Sequence, residues 1–170
     1  MTTESASERV TKNKTTVERR SDRELVVTRT FNAPARIVFD AWTKPELLKR
    51  WWAPRSLGVS LFRCEADVRV GGGYRYEFGH DPGQPLVFSG TFREVAPPSR
   101  LVWTQIFEQM RSAGEAVVTA TFTEHDGKTE LVLHQAFATK EALDGAIASG
   151  MEKGMRETYE QLEDLLGSLR

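Results

Sequence analysis

The hydrophobic pattern changes period along the chain, and the order of these changes restricts the folds that it can adopt. Residues 24–31, ELVVTRTF, form a β-branched run that is typical of a strand. Apolar residues at helical spacing follow in residues 32–51. Apolar and polar residues then alternate to about residue 137, and residues 139–169 return to a helical period. A block of strands with helices segregated from it predicts an α+β domain.

Two short helices are predicted between the first strand and the strand block. Pro34 suits a first helical turn. Residues 43–46, TKPE, have the Thr-x-x-Glu pattern of a capping box. They predict a second helix that extends to about Trp51, and Pro54 prevents its continuation. The adjacent Trp51 and Trp52 therefore lie where the second helix is expected to end.

Glycines mark the expected turns and bends of the strand block. The triple glycine at residues 71–73 precedes a strand rather than a helix, so it predicts a tight turn and not a phosphate loop. Gly90 predicts a bend within a strand. Asp126 and Gly127 are a strong signal for a two-residue hairpin.

The last segment predicts one long amphipathic helix. Thr139 is suited to cap its N-terminus, and an apolar stripe runs from Leu143 to Leu169. Gly150 and Gly154 lie beside that stripe, and each costs about 1 kcal/mol relative to alanine. Such glycines indicate close backbone approach or space for another group.

Composition excludes several classes of protein. The net charge of −1 gives no electrostatic basis for binding nucleic acid or anionic membranes, and no apolar run is long enough to span a bilayer. Residues 1–22 are polar and predict a mobile tail, which leaves one domain at residues 23–170. The N-terminus has no apolar central region typical of a secretory signal, so a cytoplasmic protein is expected.

Three stretches, residues 31–54, 67–78 and 88–107, carry a resemblance to a known family. They read FNAPARIVFDAWTKPELLKRWWAP, DVRVGGGYRYEF and FSGTFREVAPPSRLVWTQIF. In this order and spacing they resemble the Hsp90-ATPase-activator-like proteins of the START/Bet v 1-like (SRPBCC) superfamily. The resemblance implies a helix-grip fold, in which a curved antiparallel sheet wraps around a long C-terminal helix.

The resemblance also implies an apolar cavity between sheet and helix. Many members of the superfamily bind hydrophobic ligands there, and some catalyse reactions such as polyketide cyclisation. This chain departs from many relatives, which carry a tryptophan just after a glycine of the last helix. Met151 and Met155 follow the glycines here, and methionine adapts to irregular shapes.

The residues expected on the inner surface are the candidate ligand-binding residues. They are Trp51, Tyr74, Tyr76, Phe78, Phe88, Trp103, Gln105, Phe107, Leu131, Leu133, Gln135, Met151, Met155 and Tyr159. For any single residue of this set, packing in a solid hydrophobic core is a simpler interpretation than ligand binding. The set also contains hydroxyls and amides, which need a partner in the protein, in water or in a ligand once they are buried. Adjacent helical residues point about 100° apart, so Trp51 is expected to face inward and Trp52 to cover the cavity mouth.

Three functions remain open from the sequence. The first is a non-catalytic carrier or sensor of a small hydrophobic molecule, which a cavity too small for more than a few waters would contradict. The second is a chaperone partner that stimulates the Hsp90 ATPase. Family members with that activity have a separate N-terminal domain, whereas about twenty polar residues precede the first predicted strand here.

The third function is an enzyme of cyclase or hydrolase type. It requires an ionisable group with a perturbed pKa inside the cavity, and Glu65, Asp67 and Arg75 are expected to face outward.

Metal or cofactor chemistry has little support in the sequence. The histidines share no metal-ligand spacing, so no metal is expected. Cys64, the single cysteine, excludes a disulfide within the chain and is expected to be a buried, inert thiol. No cofactor is expected, and the sequence leaves open both a monomer and a homodimer.

Overall fold

A computed structural model describes residues 13–170. One curved, open sheet contains eight antiparallel strands in the order β1-β2-β8-β7-β6-β5-β4-β3. The strands are β1 (Thr16–Arg19), β2 (Glu24–Phe31), β3 (Ser60–Ala66), β4 (Gly73–Gly79), β5 (Leu86–Ala96), β6 (Arg100–Phe107), β7 (Ala116–His125) and β8 (Lys128–Ala136). The α-helices are α1 (Ala35–Thr43), α2 (Pro45–Leu48), α3 (Lys140–Ala148) and α4 (Met151–Leu169). Short 3-10 helices lie at Arg55–Leu57 and Glu108–Ala113. The predicted helix-grip architecture is confirmed.

The predicted first strand has the expected bounds, but another strand precedes it. β1 pairs antiparallel with β2, with Thr16 opposite Thr28 and Arg19 opposite Leu25. The prediction of a mobile tail over residues 1–22 is therefore wrong at residues 16–19, because backbone pairing compensates for their lack of large apolar groups. Residues 1–12 lie outside the described residues.

The predicted single C-terminal helix is two helices. Thr139 caps α3 as expected, since its hydroxyl accepts a hydrogen bond from the Ala142 N–H at 3.0 Å. The helix then ends at a left-handed residue, Gly150, which has a φ of 87°. Glycine is favoured at such a position because it lacks a Cβ. α4 starts at Met151 and buries Leu162 and Leu166 in the core.

The second short helix is shorter than predicted, and its capping box is absent. Thr43 is still the last residue of α1, so its hydroxyl donates back to the Phe39 carbonyl at 2.9 Å. Lys44 takes the N-cap position of α2 without a side-chain hydrogen bond. α2 ends at Leu48 rather than near Trp51.

Two predicted turns are confirmed. Asp126 and Gly127 have φ values of 54° and 77°, as expected for the left-handed residues of a tight hairpin between β7 and β8. The triple glycine turns the chain between β3 and β4, and Gly71 has a φ of 86°. A Cβ on Gly72 would lie 2.0 Å from the Asp67 carbonyl oxygen, so a side chain has no room there.

A buried arginine ties β2 to the last helix, and the sequence analysis missed it. Arg29 is 1% exposed on the inward face of β2. Its guanidinium pairs with Glu160 at 2.9 Å and Glu163 at 3.2 Å, and it lies 5.1 Å from the centre of the Phe31 ring. Glu163 also accepts a hydrogen bond from the Asn32 N–H. These contacts satisfy a charge that would otherwise be costly to bury.

No helix within residues 13–170 is both long enough and apolar enough to cross a membrane.

Candidate functional site

A small cavity lies between α1, α2 and strands β4 to β6. Its lining residues are Trp42, Leu48, Trp52, Tyr74, Tyr76, Phe92, Leu101, Trp103 and Gln105. The cavity volume is about 30 Å³, which is room for one or two water molecules. The expectation of a preformed, ligand-sized cavity is therefore wrong for this conformation, because aromatic side chains occupy the space between the sheet and the short helices.

Four of the fourteen candidate residues line this cavity. They are Tyr74 and Tyr76 from β4, and Trp103 and Gln105 from β6. Period-two spacing places each pair on the inner face of its strand. The sheet thus brings together an amide, two phenols and an indole against one small space.

The two adjacent tryptophans have different surroundings, as expected. Trp51 is 2% exposed, and its indole N–H donates to the Ala41 carbonyl at 2.9 Å. Its ring lies 4.8 Å from that of Trp42. Trp51 is therefore part of the core and does not line the cavity. Trp52 is half-buried and does line it, as the cover predicted for the mouth.

Three further candidates form an aromatic row beside Trp52. The Trp52 ring lies 5.0 Å from Phe78 and 6.0 Å from Phe88. Phe88 in turn lies 5.3 Å from Phe107. All three phenylalanines are half-buried, so they surround the cover of the cavity and not the cavity itself.

The remaining candidates pack under or beside α4. Leu131, Leu133 and Gln135 are buried on the inner face of β8, and Tyr159 of α4 is 2% exposed. Met151 and Met155 are half-buried against the edge of the core, which leaves them off the cavity lining. These residues belong to the solid part of the interior.

The wall formed by β4, β5 and β6 has an unusual hydrogen bond. The Tyr74 hydroxyl donates to the Thr104 carbonyl oxygen at 2.6 Å. Gly90 lies opposite Tyr74 in the ladder, and a Cβ there would be 2.0 Å from the same oxygen. The Thr91 N–H is bonded to the Thr104 side chain rather than to a carbonyl. Gly90 is thus required by close approach of β6, which adds to the predicted bend.

Two side chains of α4 hold residues 51–56, here called the tryptophan segment. The Gln161 amide donates to the carbonyls of Trp51 and Ala53 at 2.9 and 2.8 Å, and its oxygen accepts from the Arg55 N–H at 3.0 Å. The Glu157 carboxylate accepts hydrogen bonds from the N–H and hydroxyl of Ser56. These two bonds hold the pKa of Glu157 below its ordinary value.

The cavity contains no ionised side chain. Burial raises the pKa of both Tyr74 and Tyr76 far above the ordinary tyrosine value, so both phenols are neutral near pH 7. Burial also raises the pKa of the half-buried Cys64 thiol to about 11, so the thiolate that would act as a nucleophile is scarce. The enzyme hypothesis gains no support from these groups.

Charged residues near the triple glycine lie outside this cavity, and Glu65, Asp67 and Arg75 instead line a separate, open cleft of about 530 Å³. Arg75 pairs with Glu77 at 3.1 Å and with Glu108 at 3.0 Å. Hydrogen bonds from Ser89 and Arg75 hold the pKa of Glu108 below its ordinary value. Glu65 and Asp67 are likewise exposed and pair with Arg63 and Arg69. Within residues 13–170, no three His, Cys, Asp or Glu side chains are grouped as metal ligands.

Three buried polar atoms have no hydrogen-bond partner among the described residues. They are Trp42 Nε1, Gln135 Oε1 and the Tyr159 hydroxyl. Of these residues, only Trp42 lines the cavity. A buried donor without a partner costs roughly 1–3 kcal/mol, so Trp42 is a cavity-lining residue whose indole N–H has an unmet hydrogen bond.

Sequence reasoning missed Trp42, Leu48, Phe92 and Leu101 as lining residues. Phe92 and Leu101 had a signal, since they lie on the inner face of strands whose neighbours were selected. Trp42 also had one, because it shares the buried face of α1 with Val38. The contact between these helical side chains and β4 to β6 depends on how the sheet curves, which periodicity does not give.

Comparison with solved structures supports the fold over nearly the whole chain. A protein from Rhodobacter sphaeroides is 28% identical, with 91% of this chain and 99% of that one aligned at a TM-score of 0.83. A protein from Staphylococcus epidermidis is 30% identical, with 91% and 95% aligned at a TM-score of 0.75. A Mycobacterium smegmatis protein is 25% identical, with 89% and 96% aligned at a TM-score of 0.79.

No curated protein matches the chain. Residues 32–167 match the family described as activator of Hsp90 ATPase homolog 1-like protein. This range contains all fourteen candidate residues and the three stretches that carried the resemblance, apart from Phe31. The chain therefore belongs to the activator of Hsp90 ATPase homolog 1-like family, with the helix-grip fold of the START/Bet v 1-like superfamily.

Proposed function

We propose that this domain binds a small, flat, largely apolar molecule between α1, α2 and strands β4 to β6. The observation that carries the proposal is an aromatic cavity lined by Trp42, a residue whose buried indole N–H has no partner among the described residues. Apolar walls with a few polar groups are typical of small-molecule sites. The family fold is compatible with such a role.

The cavity of this conformation is small enough to contradict a preformed carrier site, so binding requires a more open conformation than this one. The cavity volume is about 30 Å³, whereas small-molecule pockets usually measure roughly 300–1,000 Å³. A ligand would therefore stabilise a minor, open state. Its apparent affinity would be reduced in proportion to the population of that state.

Trp52 is the lining residue best placed to move. Most of the other lining residues belong to strands, where backbone ladders fix them, whereas Trp52 lies outside any strand or helix. Its ring meets Tyr76 at 5.5 Å and Phe78 at 5.0 Å, both edge to face. Each such contact is worth only about 0.5–1.5 kcal/mol beyond area burial. Opening through Trp52 therefore leaves the sheet and the core intact.

The lining residues also restrict the shape and charge of the ligand. Aromatic rings on several sides favour a planar molecule, and the Trp42 N–H favours one with a hydrogen-bond acceptor. The Gln105 amide can donate or accept. Because no ionised group lines the cavity, a charged centre inside it would be unpaired. We therefore infer a neutral aromatic or polycyclic ligand.

Native mass spectrometry of the purified protein, before and after denaturation, tests this function. A matched pair of variants locates the molecule. Leu101→Phe adds volume at the cavity wall, and Val102→Ile makes a similar change at the next residue, which does not line the cavity. We expect a retained mass in the wild-type protein and in Val102→Ile, and its loss in Leu101→Phe. Equal retention by both variants would place the molecule elsewhere and contradict the proposal.

A second candidate function comes from the family description, which names activation of the Hsp90 ATPase. Under this hypothesis the domain contacts a chaperone, and the interior is only a core. The assay is the ATPase rate of a cognate Hsp90 with and without this protein. An unchanged rate at saturating protein would remove this candidate and leave the ligand proposal in place.

A further inference from the structure

The three hydrogen bonds of Gln161 surround the backbone of Trp52. Its amide protons are bonded to the carbonyls on either side of that residue, those of Trp51 and Ala53. Its oxygen accepts from the N–H of Arg55. Gln161 is 9% exposed, so these bonds are largely shielded from water. One side chain thus fixes the backbone before and after the residue that covers the cavity.

The tryptophan segment lies between α2 and β3 and belongs to no strand ladder. The N–H groups of Trp51 and Trp52 bond to the Leu48 carbonyl at 3.2 and 3.0 Å, whereas the carbonyls of Trp51 and Ala53 bond to Gln161. The Trp51 indole is anchored separately to the Ala41 carbonyl, and Ser56 is bonded to Glu157. The backbone between these two anchors is held to α4 by Gln161. Trp52 lies in that interval.

We propose that Gln161 is a positioning residue that keeps Trp52 over the cavity and so limits ligand access. This inference rests on the proposed function, in which Trp52 moves to open the site. With Gln161 in place, the cavity opens only by rotation of the Trp52 side chain. Without it, two carbonyls and one N–H lose their partners and must reach water to be satisfied. Movement of the segment toward solvent satisfies them and carries the Trp52 ring away from Tyr76 and Phe78.

The variant Gln161→Met tests this role, because methionine has a similar length and removes all three hydrogen bonds. Thr158→Val is the matched control. Thr158 is buried less than one turn away on α4, but its hydroxyl bonds only to its own helix, at the Met155 carbonyl. The first two readouts need no ligand. They are hydrogen exchange at the Arg55 amide and nuclear Overhauser contacts between the Trp52 and Phe78 rings.

We expect Gln161→Met to speed exchange at the Arg55 amide about tenfold, the equivalent of one lost buried hydrogen bond. We also expect it to weaken the contacts between the Trp52 and Phe78 rings, while Thr158→Val changes neither. Unchanged ring contacts in Gln161→Met would overturn the inference whether or not any ligand binds.

A double variant tests whether Gln161 controls access to the cavity through Trp52. Association of the neutral fluorescent probe N-phenyl-1-naphthylamine is followed by stopped-flow fluorescence in wild type, Gln161→Met, Trp52→Ala and the double variant. If Gln161 acts through Trp52, its substitution speeds probe association in the wild-type background and adds nothing once Trp52 is alanine. Equal effects in both backgrounds would overturn the inference. If no variant binds the probe, the proposed function fails, and the exchange and ring contacts still decide the role of Gln161.

Should Gln161→Met fold poorly, Gln161→Glu provides the second route. It keeps an oxygen for the Arg55 N–H and removes both donors to the carbonyls of Trp51 and Ala53. We expect the Arg55 amide to remain protected and the ring contacts of Trp52 to weaken. Retention of those contacts would show that the two donor bonds do not position Trp52.

Discussion

The hydroxyl of Tyr74 donates a 2.6 Å hydrogen bond to the backbone carbonyl of Thr104, two strands away. The bond passes the place where Gly90 has no side chain, since a Cβ there would lie 2.0 Å from the same oxygen. Tyr74, Gly90 and Thr104 therefore act together to shape one wall of the cavity. The Tyr74 side chain therefore holds this wall together in addition to the backbone hydrogen bonds between the strands.

Replacing Tyr74 by phenylalanine should destabilise the protein by about 1–3 kcal/mol, because the Thr104 carbonyl loses a buried donor. Urea unfolding measures this change. Tyr76→Phe is the matched control, because Tyr76 lies on the same face of β4 and no hydrogen bond from its hydroxyl is found among the described residues. If Tyr76→Phe lowers the free energy of unfolding as much as Tyr74→Phe does, the bond to Thr104 is not the cause.

The two glycines of the C-terminal region should respond in opposite directions to alanine. At Gly154, inside α4, the nearest atom to a new Cβ is Pro54 Cγ at 3.8 Å, an ordinary contact. Gly154→Ala should therefore stabilise the protein by about 0.5–1 kcal/mol. Gly150 has a φ of 87°, so Gly150→Ala should cost about 1–2 kcal/mol. Thermal unfolding of both variants is the measurement, and destabilisation by Gly154→Ala would mean that the glycine provides needed space.

Acid should weaken the attachment of the tryptophan segment to α4. Hydrogen bonds from Ser56, with smaller contributions from the charges of Lys153 and Arg55, lower the pKa of Glu157 in the folded protein. A lowered folded-state pKa contributes stability above the unfolded-state value of about 4.3 and loses it as the pH falls through the folded value. We expect the difference in unfolding free energy between wild type and Glu157→Gln to shrink below about pH 4.

Other carboxylates with lowered pKa values, including Glu24 and Asp144, will also make the wild-type protein less stable in acid. The comparison with Glu157→Gln removes their contribution, because both proteins contain them. A difference that stays constant from neutral to acid pH would show that Glu157 does not titrate with a lowered pKa.

The sequence predicted the fold well because the fold depends on periodicity. Alternation along β4 placed Tyr74, Tyr76 and Phe78 on one face, and the order of elements matched the family resemblance. The errors occurred where a single backbone conformation or a distant partner decides the structure. Gly150 interrupts a continuous apolar stripe, and residues 16–19 form a strand because β2 has a free edge.

The candidate site was only partly predictable. The inner face of the sheet follows from strand parity, but the space above it depends on the volumes that several distant side chains fill. Trp51 and Tyr159 share the inner region and yet form solid core with Trp42. Arg29 gave a signal that was overlooked, since a charge between Val27 and Phe31 on an inward face requires a buried partner.

Trp52 is proposed to close a binding site, and a probe titration tests this role most directly. The neutral fluorescent probe N-phenyl-1-naphthylamine is titrated into wild type, Trp52→Ala and Val70→Ala, the last being the loss of an exposed apolar side chain away from the cavity. We predict binding at least about tenfold tighter in Trp52→Ala, since a closed state that costs 1.4 kcal/mol or more is removed. We predict no change in Val70→Ala. Equal affinity in all three proteins would contradict the account and leave Trp52 as packing alone.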